Sequence, residues 1–206
     1  MQLQLALDRM TRKSCIEIVN DTKESIDIIE VGTGVIKEYG MAIVRELREL
    51  YPEKTILADM KTCDAGKHEA IQAFDAGADI VTVMAFSNDS TITDTLKVAE
   101  EYGKHIMVDL LEVDSRDRIE QLQEIGVDFV SLHVGKDKQS EGQFSTDLFS
   151  LVKGYRFETS VAGGVNLDTL PGIAKENPDI VIVGSAITKA KAPNNVAAKM
   201  KQIIDS

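Results

Sequence analysis

Carboxylates, one lysine and one histidine stand at the ends of short apolar segments in this sequence. The densest group is Asp59-x-Lys61-x-x-Asp64, in which Asp59 and Lys61 are two residues apart and would face the same side of a strand. A lysine held by carboxylates keeps its proton, so it stabilises a developing oxyanion rather than forming a Schiff base. His133 ends another apolar segment and is suited to carry a proton near neutral pH.

Three further carboxylates end apolar segments: Asp8, Glu30 and Asp109. A single Asp at such a position often only caps the helix that follows. Several carboxylates that converge on one site repel each other unless something positive lies among them, and Lys61 and a divalent cation are the candidates. Oxygen ligands without cysteine, and with one well-placed histidine, favour Mg²⁺ over zinc.

Glycines mark two other segment ends, at Gly163-Gly164 and at Gly184-Ser185. Glycine lets main-chain amides approach an anion closely, and the N-terminus of a following helix adds a positive dipole end. We therefore expect Gly163, Gly164, Gly184 and Ser185 to bind a phosphate group. The alternative is that these glycines serve only the geometry of two tight turns.

The elements that carry these residues form an internal repeat. Apolar segments that open with Asp begin at Asp27, Asp79, Asp128 and Asp179, at offsets of 52, 49 and 51 residues. A second series ends in Asp8, Asp59 and Asp109, at offsets of 51 and 50. Merging the two series predicts eight strands that start near residues 3, 25, 55, 79, 105, 128, 156 and 179, with amphipathic helices between them.

Near-continuous apolar strands that alternate with helices are typical of a parallel sheet covered by helices. Eight such units predict a single (β/α)₈ TIM barrel of the phosphate-binding type, with residues 1–206 as one domain. The open doubly wound sheet is the alternative, but Gly32-Thr33-Gly34 lacks the third glycine of the dinucleotide fingerprint. A barrel gathers the strand ends at one mouth, where only the fourth strand, near residues 82–86, contributes no candidate.

Composition restricts the partners and the location. The net charge of −11 argues against nucleic acids and anionic membranes, which attract clustered Lys and Arg. Cys15 and Cys63 fit neither a disulfide framework nor a zinc site, so we expect free thiols. His68 and His105 are expected to be surface or packing residues. No signal sequence or membrane span is visible, and a cytoplasmic protein is expected.

The motif Asp59-x-Lys61-x-x-Asp64, together with Glu30-Val31-Gly32, Ala162-Gly163-Gly164 and Val183-Gly184-Ser185, resembles the orotidine 5′-monophosphate decarboxylase suprafamily over essentially the whole chain. Within it, the sequence is most similar to the 3-hexulose-6-phosphate synthase family, with the 3-keto-L-gulonate-6-phosphate decarboxylases as close relatives. Glu30 stands where the orotidine monophosphate enzymes carry Lys, and Asp109 where the ketogulonate enzymes carry Glu. Lys136 departs partly from the Arg of the ketogulonate decarboxylases and leaves that activity open.

The resemblance implies an aldolase that condenses formaldehyde with D-ribulose 5-phosphate to D-arabino-3-hexulose 6-phosphate through a 1,2-enediolate. It implies Mg²⁺ held by Glu30 and Asp59, His133 as the base, and Lys61 beside the enediolate. Asp8 and Asp109 would orient substrate hydroxyls or Lys61.

The resemblance also implies a homodimer in which Asp64 reaches the site of the partner subunit. Two other functions stay open: 3-keto-L-gulonate-6-phosphate decarboxylation through the same enediolate, and a barrel that binds a sugar phosphate without turning it over.

Overall fold

The computed structural model describes residues 1–135 and 148–205 of the chain. Eight parallel strands pair in sequence order, and β8 pairs with β1 to close a barrel. The strands are β1 (Gln2–Leu7), β2 (Ile28–Val31), β3 (Thr55–Thr62), β4 (Ile80–Met84), β5 (His105–Asp109), β6 (Phe129–His133), β7 (Glu158–Ala162) and β8 (Ile180–Val183). The predicted (β/α)₈ barrel is confirmed, and every strand begins within three residues of its predicted start. That residues 1–206 form one domain stays a prediction.

Helices follow the strands and cover the outside of the barrel. They are α1 (Arg12–Thr22), α2 (Thr33–Tyr39), α3 (Ala42–Leu50), α4 (Gly66–Asp75), α5 (Asp89–Tyr102), α6 (Arg116–Glu124), α7 (Phe149–Val152), α8 (Leu170–Lys175), α9 (Ser185–Thr188) and α10 (Pro193–Ile204). Three of the helices have a side-chain N-cap that accepts a main-chain N–H group: Thr11 caps α1, Asn88 caps α5 and Ser115 caps α6. Across the described ranges, no helix combines the length and the apolar character needed to cross a membrane.

The core has two layers. Outward-facing strand residues pack against the helices in one large apolar cluster, whereas inward-facing residues fill the barrel itself. The inner cluster comprises Ile28, Leu57, Ile80, Met107, Phe129, Ile180 and Ile182. The inside of the barrel is therefore packed with apolar side chains.

Three of the four Asp residues that open the repeated segments join neighbouring strands at the opposite end of the barrel. Asp27 accepts the N–H of Leu3 at 2.8 Å, and Asp179 accepts the N–H of Thr159 at 2.8 Å. Asp79 accepts the N–H of Ile56 at 2.9 Å in the same way. Because the amino ends of barrel strands serve stability, this half of the sequence repeat belongs to the scaffold.

Arg48 of α3 is the most heavily bonded side chain of this end of the barrel. Its guanidinium donates to the carbonyls of Gly77 at 2.9 Å and Lys54 at 2.8 Å, and it also pairs with Asp79. These groups are partly buried, so removing the guanidinium takes a donor from the carbonyls and a positive charge from Asp79, which keeps Lys104 and the Ile56 N–H as partners.

We predict that Arg48→Met lowers the free energy of unfolding by about 2–4 kcal/mol, because several partly buried acceptors lose their donor at once. Urea denaturation measures the effect. The matched control is Arg45→Met on the same helix, where the arginine is exposed and a change within about 0.5 kcal/mol is expected. A loss below about 1 kcal/mol for Arg48→Met would contradict the stabilising role given to this network.

Candidate active site

A cavity of about 350 Å³ lies at the carboxyl ends of the strands. Ten of the eleven residues singled out from the sequence line it: Asp8, Glu30, Asp59, Lys61, Asp109, His133, Gly163, Gly164, Gly184 and Ser185. The eleventh, Asp64, does not line it. The carboxylate, lysine and histidine group and the two glycine turns therefore share one cavity.

Lys61 lies where β3 departs from regular strand geometry. The pairing register with β4 shifts between Ala58 and Thr62, and Lys61 has a φ of 48°, which is unusual for a residue with a side chain. Its N–H donates to Thr82 Oγ1 at 2.9 Å, and the Thr82 hydroxyl donates to Asp59 Oδ1 at 2.9 Å. Thr82 thus bonds two residues of this irregular segment, the main chain of Lys61 and the side chain of Asp59.

The Lys61 ammonium is enclosed by two carboxylates. Its Nζ lies 2.6 Å from Asp109 Oδ2 and 3.2 Å from Asp59 Oδ1. Burial alone would lower the pKa of Lys61, but the charges and hydrogen bonds of Asp59 and Asp109 outweigh burial and raise it. Lys61 is therefore a permanent cation in the cavity.

Asp109 connects Lys61 to His133. His133 Nδ1 lies 3.0 Å from Asp109 Oδ2, and because a carboxylate only accepts, Nδ1 carries the proton and Nε2 is left to accept one. Burial would raise the pKa of Asp109, but the hydrogen bond and charge of His133 and the charge of Lys61 lower it to about 2. Burial would lower the pKa of His133, yet the hydrogen bond and charge of Asp109 raise it overall. His133 is thus a strengthened base with a fixed orientation.

Glu30 is the carboxylate of the site that is hardest to ionise. Burial, and next the negative charge of Asp59, raise its pKa to about 7, against the lowering effect of a 2.7 Å hydrogen bond from Gln4 Nε2. The second oxygen of Asp59 accepts the hydroxyl of Thr33 at 2.7 Å. A cation between Glu30 and Asp59 would remove their repulsion.

The donor chemistry of this pair suits Mg²⁺, which is commonly bound through one or two carboxylates and keeps several water or substrate ligands. Within residues 1–135 and 148–205, no group of three or more His, Cys, Asp and Glu side chains is arranged to hold a metal ion. Glu30 and Asp59 would be the two protein ligands, and Lys61 pairs with Asp59 as well as with Asp109.

We predict that Glu30→Gln stabilises the metal-free protein at pH 8 by about 1–3 kcal/mol. In the folded protein the pKa of Glu30 is raised from 4.5 to about 7. Between these two pH values the native state holds a proton that the unfolded state has lost. Stability therefore falls as the pH rises from about 4.5 through about 7, and the Gln variant is spared this loss.

Urea denaturation in the presence of a chelator, at pH 8 and at pH 5, measures the difference, which should be smaller at pH 5. Glu124→Gln, at an exposed position of α6, is the control and should show no such dependence. A Glu30→Gln variant that is less stable than the wild type at pH 8 would contradict the unfavourable charge assigned to Glu30.

The other end of the cavity is built from main chain. Gly163 and Gly164 have φ values of 102° and 72°, and a Cβ on Gly163 would lie 2.4 Å from the carbonyl oxygen of Val134. This turn needs glycine for its geometry, which leaves its amides beside the cavity. Gly184 precedes α9, and Lys189 lines the same end. In the part of the chain that the structure describes, the Lys189 side chain makes no ion pair.

Two predicted site residues, Asp8 and Asp64, do not contact the Lys61 network, which consists of Lys61, Asp59, Asp109 and His133. Asp8 is exposed, pairs with Arg9 at 2.9 Å and accepts the N–H of Gly34 at 3.2 Å. Its ion pair is therefore with Arg9 and not with Lys61. Asp64 is exposed in the turn before α4. Lys136 lies outside the described residues.

The remaining cysteines and histidines are not part of the cavity. Cys15 and Cys63 are free, as predicted, and burial raises the pKa of the Cys15 thiol to about 11. His68 on α4 and His105 at the start of β5 were predicted to be surface or packing residues, and both are exposed.

Three polar residues in contact with the site were missed from the sequence: Gln4, Thr33 and Thr82. The fourth strand was predicted to contribute no residue to the site. Thr82 of that strand is nevertheless buried and forms hydrogen bonds with the Asp59 side chain and the main chain of Lys61. A usable signal existed, because Gln4 and Thr82 are polar residues inside otherwise apolar strands. Such residues in a buried strand require a partner, and the nearest unpaired groups are those of the site.

Comparison with known proteins agrees with this architecture. The model of the orotidine 5′-phosphate decarboxylase / HUMPS family matches residues 1–200. A 3-hexulose-6-phosphate synthase of Bacillus subtilis (strain 168) is 40% identical over 207 residues, which cover 99% of each chain.

Solved structures agree as well. The crystal structure of 3-hexulose-6-phosphate synthase from Salmonella typhimurium has a TM-score of 0.96 at 38% identity and covers 99% of this chain and 98% of that chain. The crystal structure of a KGPDC complex from Streptococcus mutans has a TM-score of 0.92 at 30% identity and covers 99% of this chain and 97% of that chain.

Proposed function

Since the chain belongs to the orotidine 5′-phosphate decarboxylase / HUMPS family, we propose that it condenses formaldehyde with D-ribulose 5-phosphate to form D-arabino-3-hexulose 6-phosphate. It is then an aldolase-type carbon–carbon lyase. One observation carries the proposal: a single cavity joins the network of Asp59, Lys61, Asp109 and His133 to the glycine turns after β7 and β8. Relatives named 3-hexulose-6-phosphate synthase, at up to 40% identity over nearly the whole chain, support the choice of reaction.

The glycine end would bind the phosphate of ribulose 5-phosphate. Main-chain amides around Gly163, Gly164, Gly184 and Ser185 supply donors without bulky side chains, which suits a tetrahedral anion. Anchoring the phosphate there would extend the sugar across the cavity toward Glu30 and His133. Because the phosphate is bound at the other end of the cavity, its binding would also orient the reacting carbons of the sugar.

His133 would remove the proton from C1 of the sugar. Asp109 occupies Nδ1–H, so Nε2 is the accepting atom, and the carboxylate stabilises the imidazolium that forms. C1 of the resulting 1,2-enediolate attacks the carbon of formaldehyde, and the former aldehyde oxygen takes a proton. The proton held by His133 balances that step, so no other reactant is needed.

Lys61 would stabilise the enediolate. Its ammonium is fixed by Asp59 and Asp109 before the reaction begins, so it does not reorganise when negative charge develops on the sugar oxygens. Mg²⁺ held by Glu30 and Asp59 would supply Lewis acid polarisation of the C2 carbonyl. Asp8 lines the same cavity and would accept hydrogen bonds from substrate hydroxyls.

The test is consumption of formaldehyde by the purified protein with ribulose 5-phosphate and Mg²⁺ present. We expect consumption only when all three are present, and its loss when a chelator removes the metal. No consumption under these conditions would overturn the proposed reaction, whereas consumption unaffected by the chelator would overturn the metal alone.

A second candidate is decarboxylation of 3-keto-L-gulonate 6-phosphate through the same enediolate. The likeness to KGPDC from Streptococcus mutans, at 30% identity and a TM-score of 0.92, favours keeping it. Comparing CO₂ release from that substrate with formaldehyde consumption decides which activity dominates. Binding of ribulose 5-phosphate without either reaction would instead identify a non-catalytic sugar-phosphate barrel.

A homodimer with shared sites is part of the proposal. Asp64 follows Lys61 by three residues but is exposed and does not line its own cavity, which agrees with a role at the cavity of a second copy. We also propose a cytoplasmic location, supported by the two free cysteines, which suit a reducing compartment.

Mixing two inactive variants tests the shared site. In a mixed dimer of Lys61→Met and Asp64→Asn subunits, one of the two sites would contain both Lys61 and Asp64. After subunit exchange of equal amounts, half the dimers are mixed, so about a quarter of wild-type activity is expected. Recovery is measured against each variant exchanged with itself. No recovery, with mixed dimers demonstrated by mass, would contradict a site shared between subunits.

A further inference from the structure

Gln4 is a polar side chain in an apolar layer of the barrel. It is fully buried on β1, and its register partners on the neighbouring strands are Ile28 and Ile182, both members of the inner apolar cluster. An aliphatic residue would suit this layer better, since a buried amide has to be satisfied by hydrogen bonds. Packing in the barrel therefore does not explain why residue 4 is a glutamine.

The Gln4 amide makes one hydrogen bond, and its partner is a residue of the site. Nε2 donates to Glu30 Oε2 at 2.7 Å. Within the described ranges, Gln4 Oε1 is the only buried side-chain polar atom without a hydrogen-bond partner. The residue thus leaves its acceptor unsatisfied while its donor holds the carboxylate.

We propose that Gln4 is a positioning residue that fixes the Glu30 carboxylate for Mg²⁺ binding. The hydrogen bond occupies Oε2 of Glu30, and within the described ranges Oε1 accepts no hydrogen bond. Glu30 and Asp59 both line the cavity. Partners that hold a metal ligand from behind orient it before the ion arrives. The inference rests on the proposed function, because it concerns the metal site of that reaction.

The test measures Mg²⁺ binding directly, by titration calorimetry of the intact protein without substrate. Gln4→Met keeps the size of the side chain and removes the donor, so we expect the dissociation constant for Mg²⁺ to rise about tenfold or more. In the formaldehyde assay, the Mg²⁺ concentration at half-maximal rate should rise in parallel, while kcat at saturating Mg²⁺ stays within about twofold.

The control is Ser160→Ala, which removes another fully buried polar group of the barrel that does not line the cavity. It should leave Mg²⁺ binding unchanged. Gln4→Leu is the second variant, matched to the apolar neighbours, and thermal unfolding in a chelator should show both Gln4 variants to be folded. A merely structural Gln4 would alter unfolding but not the Mg²⁺ dissociation constant.

The outcomes separate the inference from the function on which it rests. Gln4 variants that are folded and bind Mg²⁺ as tightly as the wild type overturn the inference and leave the proposed reaction intact. A wild-type protein that binds no Mg²⁺ overturns the metal site and the positioning role together. Weakened binding in both variants, with Ser160→Ala unaffected, supports the inference.

Discussion

Lys61→Met is expected to lower kcat for formaldehyde fixation by about 10³-fold or more, the largest effect of any single substitution in the site. The ammonium lies between Asp59 and Asp109 at 3.2 and 2.6 Å and is the fixed cation nearest the reacting carbons in the proposed mechanism. Without it, the enediolate loses a donor that needs no reorganisation. In addition, two carboxylates face each other with no positive charge between them. Initial rates at saturating substrate and Mg²⁺ measure the loss.

The control for this variant is Lys199→Met, at an exposed position on the outer helix α10, which should retain full activity. Circular dichroism should show that the Lys61 variant keeps its fold, because the side chain is only one member of the cavity wall. Retention of more than about a tenth of the wild-type kcat would contradict the role given to Lys61.

The barrel could be predicted because its strands repeat along the chain. The segments that open with Asp27, Asp79 and Asp179 recur at similar offsets and make the same hydrogen bond to the preceding strand. Once the strands are placed, their carboxyl ends must meet at one mouth, and this alone brings Asp109 and His133 into one cavity. The sequence was thus sufficient to predict that ten of its eleven candidate residues line one cavity.

The contacts between those residues were not predictable in the same way. Which side chains touch across a closed barrel depends on register, and at Lys61 the register shifts and the main chain adopts a left-handed conformation. Thr82 was missed because its partners lie on β3, more than twenty residues away. Asp8 was expected to orient a hydroxyl or Lys61, but its ion pair is with the adjacent Arg9.

Asp109→Asn is expected to lower kcat by about 10²-fold and to move the acidic limb of its pH profile to lower pH. His133 accepts a proton only when neutral, so activity rises with pH through its pKa. In the wild type Asp109 raises that pKa above the ordinary 6.5 by its hydrogen bond and its charge. Burial and the charge of Lys61 remain in the variant, and both lower the pKa. The neutral base is then formed at a lower pH, but its imidazolium loses its stabilising partner.

The measurement is kcat from about pH 5.5 to about pH 9 at saturating substrate and Mg²⁺ for the wild type and Asp109→Asn, a range that spans the ordinary pKa of histidine. Asp128→Asn, at an exposed position before β6, is the control and should keep the wild-type profile. An acidic limb that stays in place in Asp109→Asn would mean that His133 is not the group whose ionisation limits the rate.

A basic limb from Lys61 is not expected below about pH 10, since its carboxylate partners raise its pKa. Asp59 and Asp109 therefore both favour the protonated form of their partners. Together they keep Lys61 charged, and Asp109 also makes His133 a stronger base.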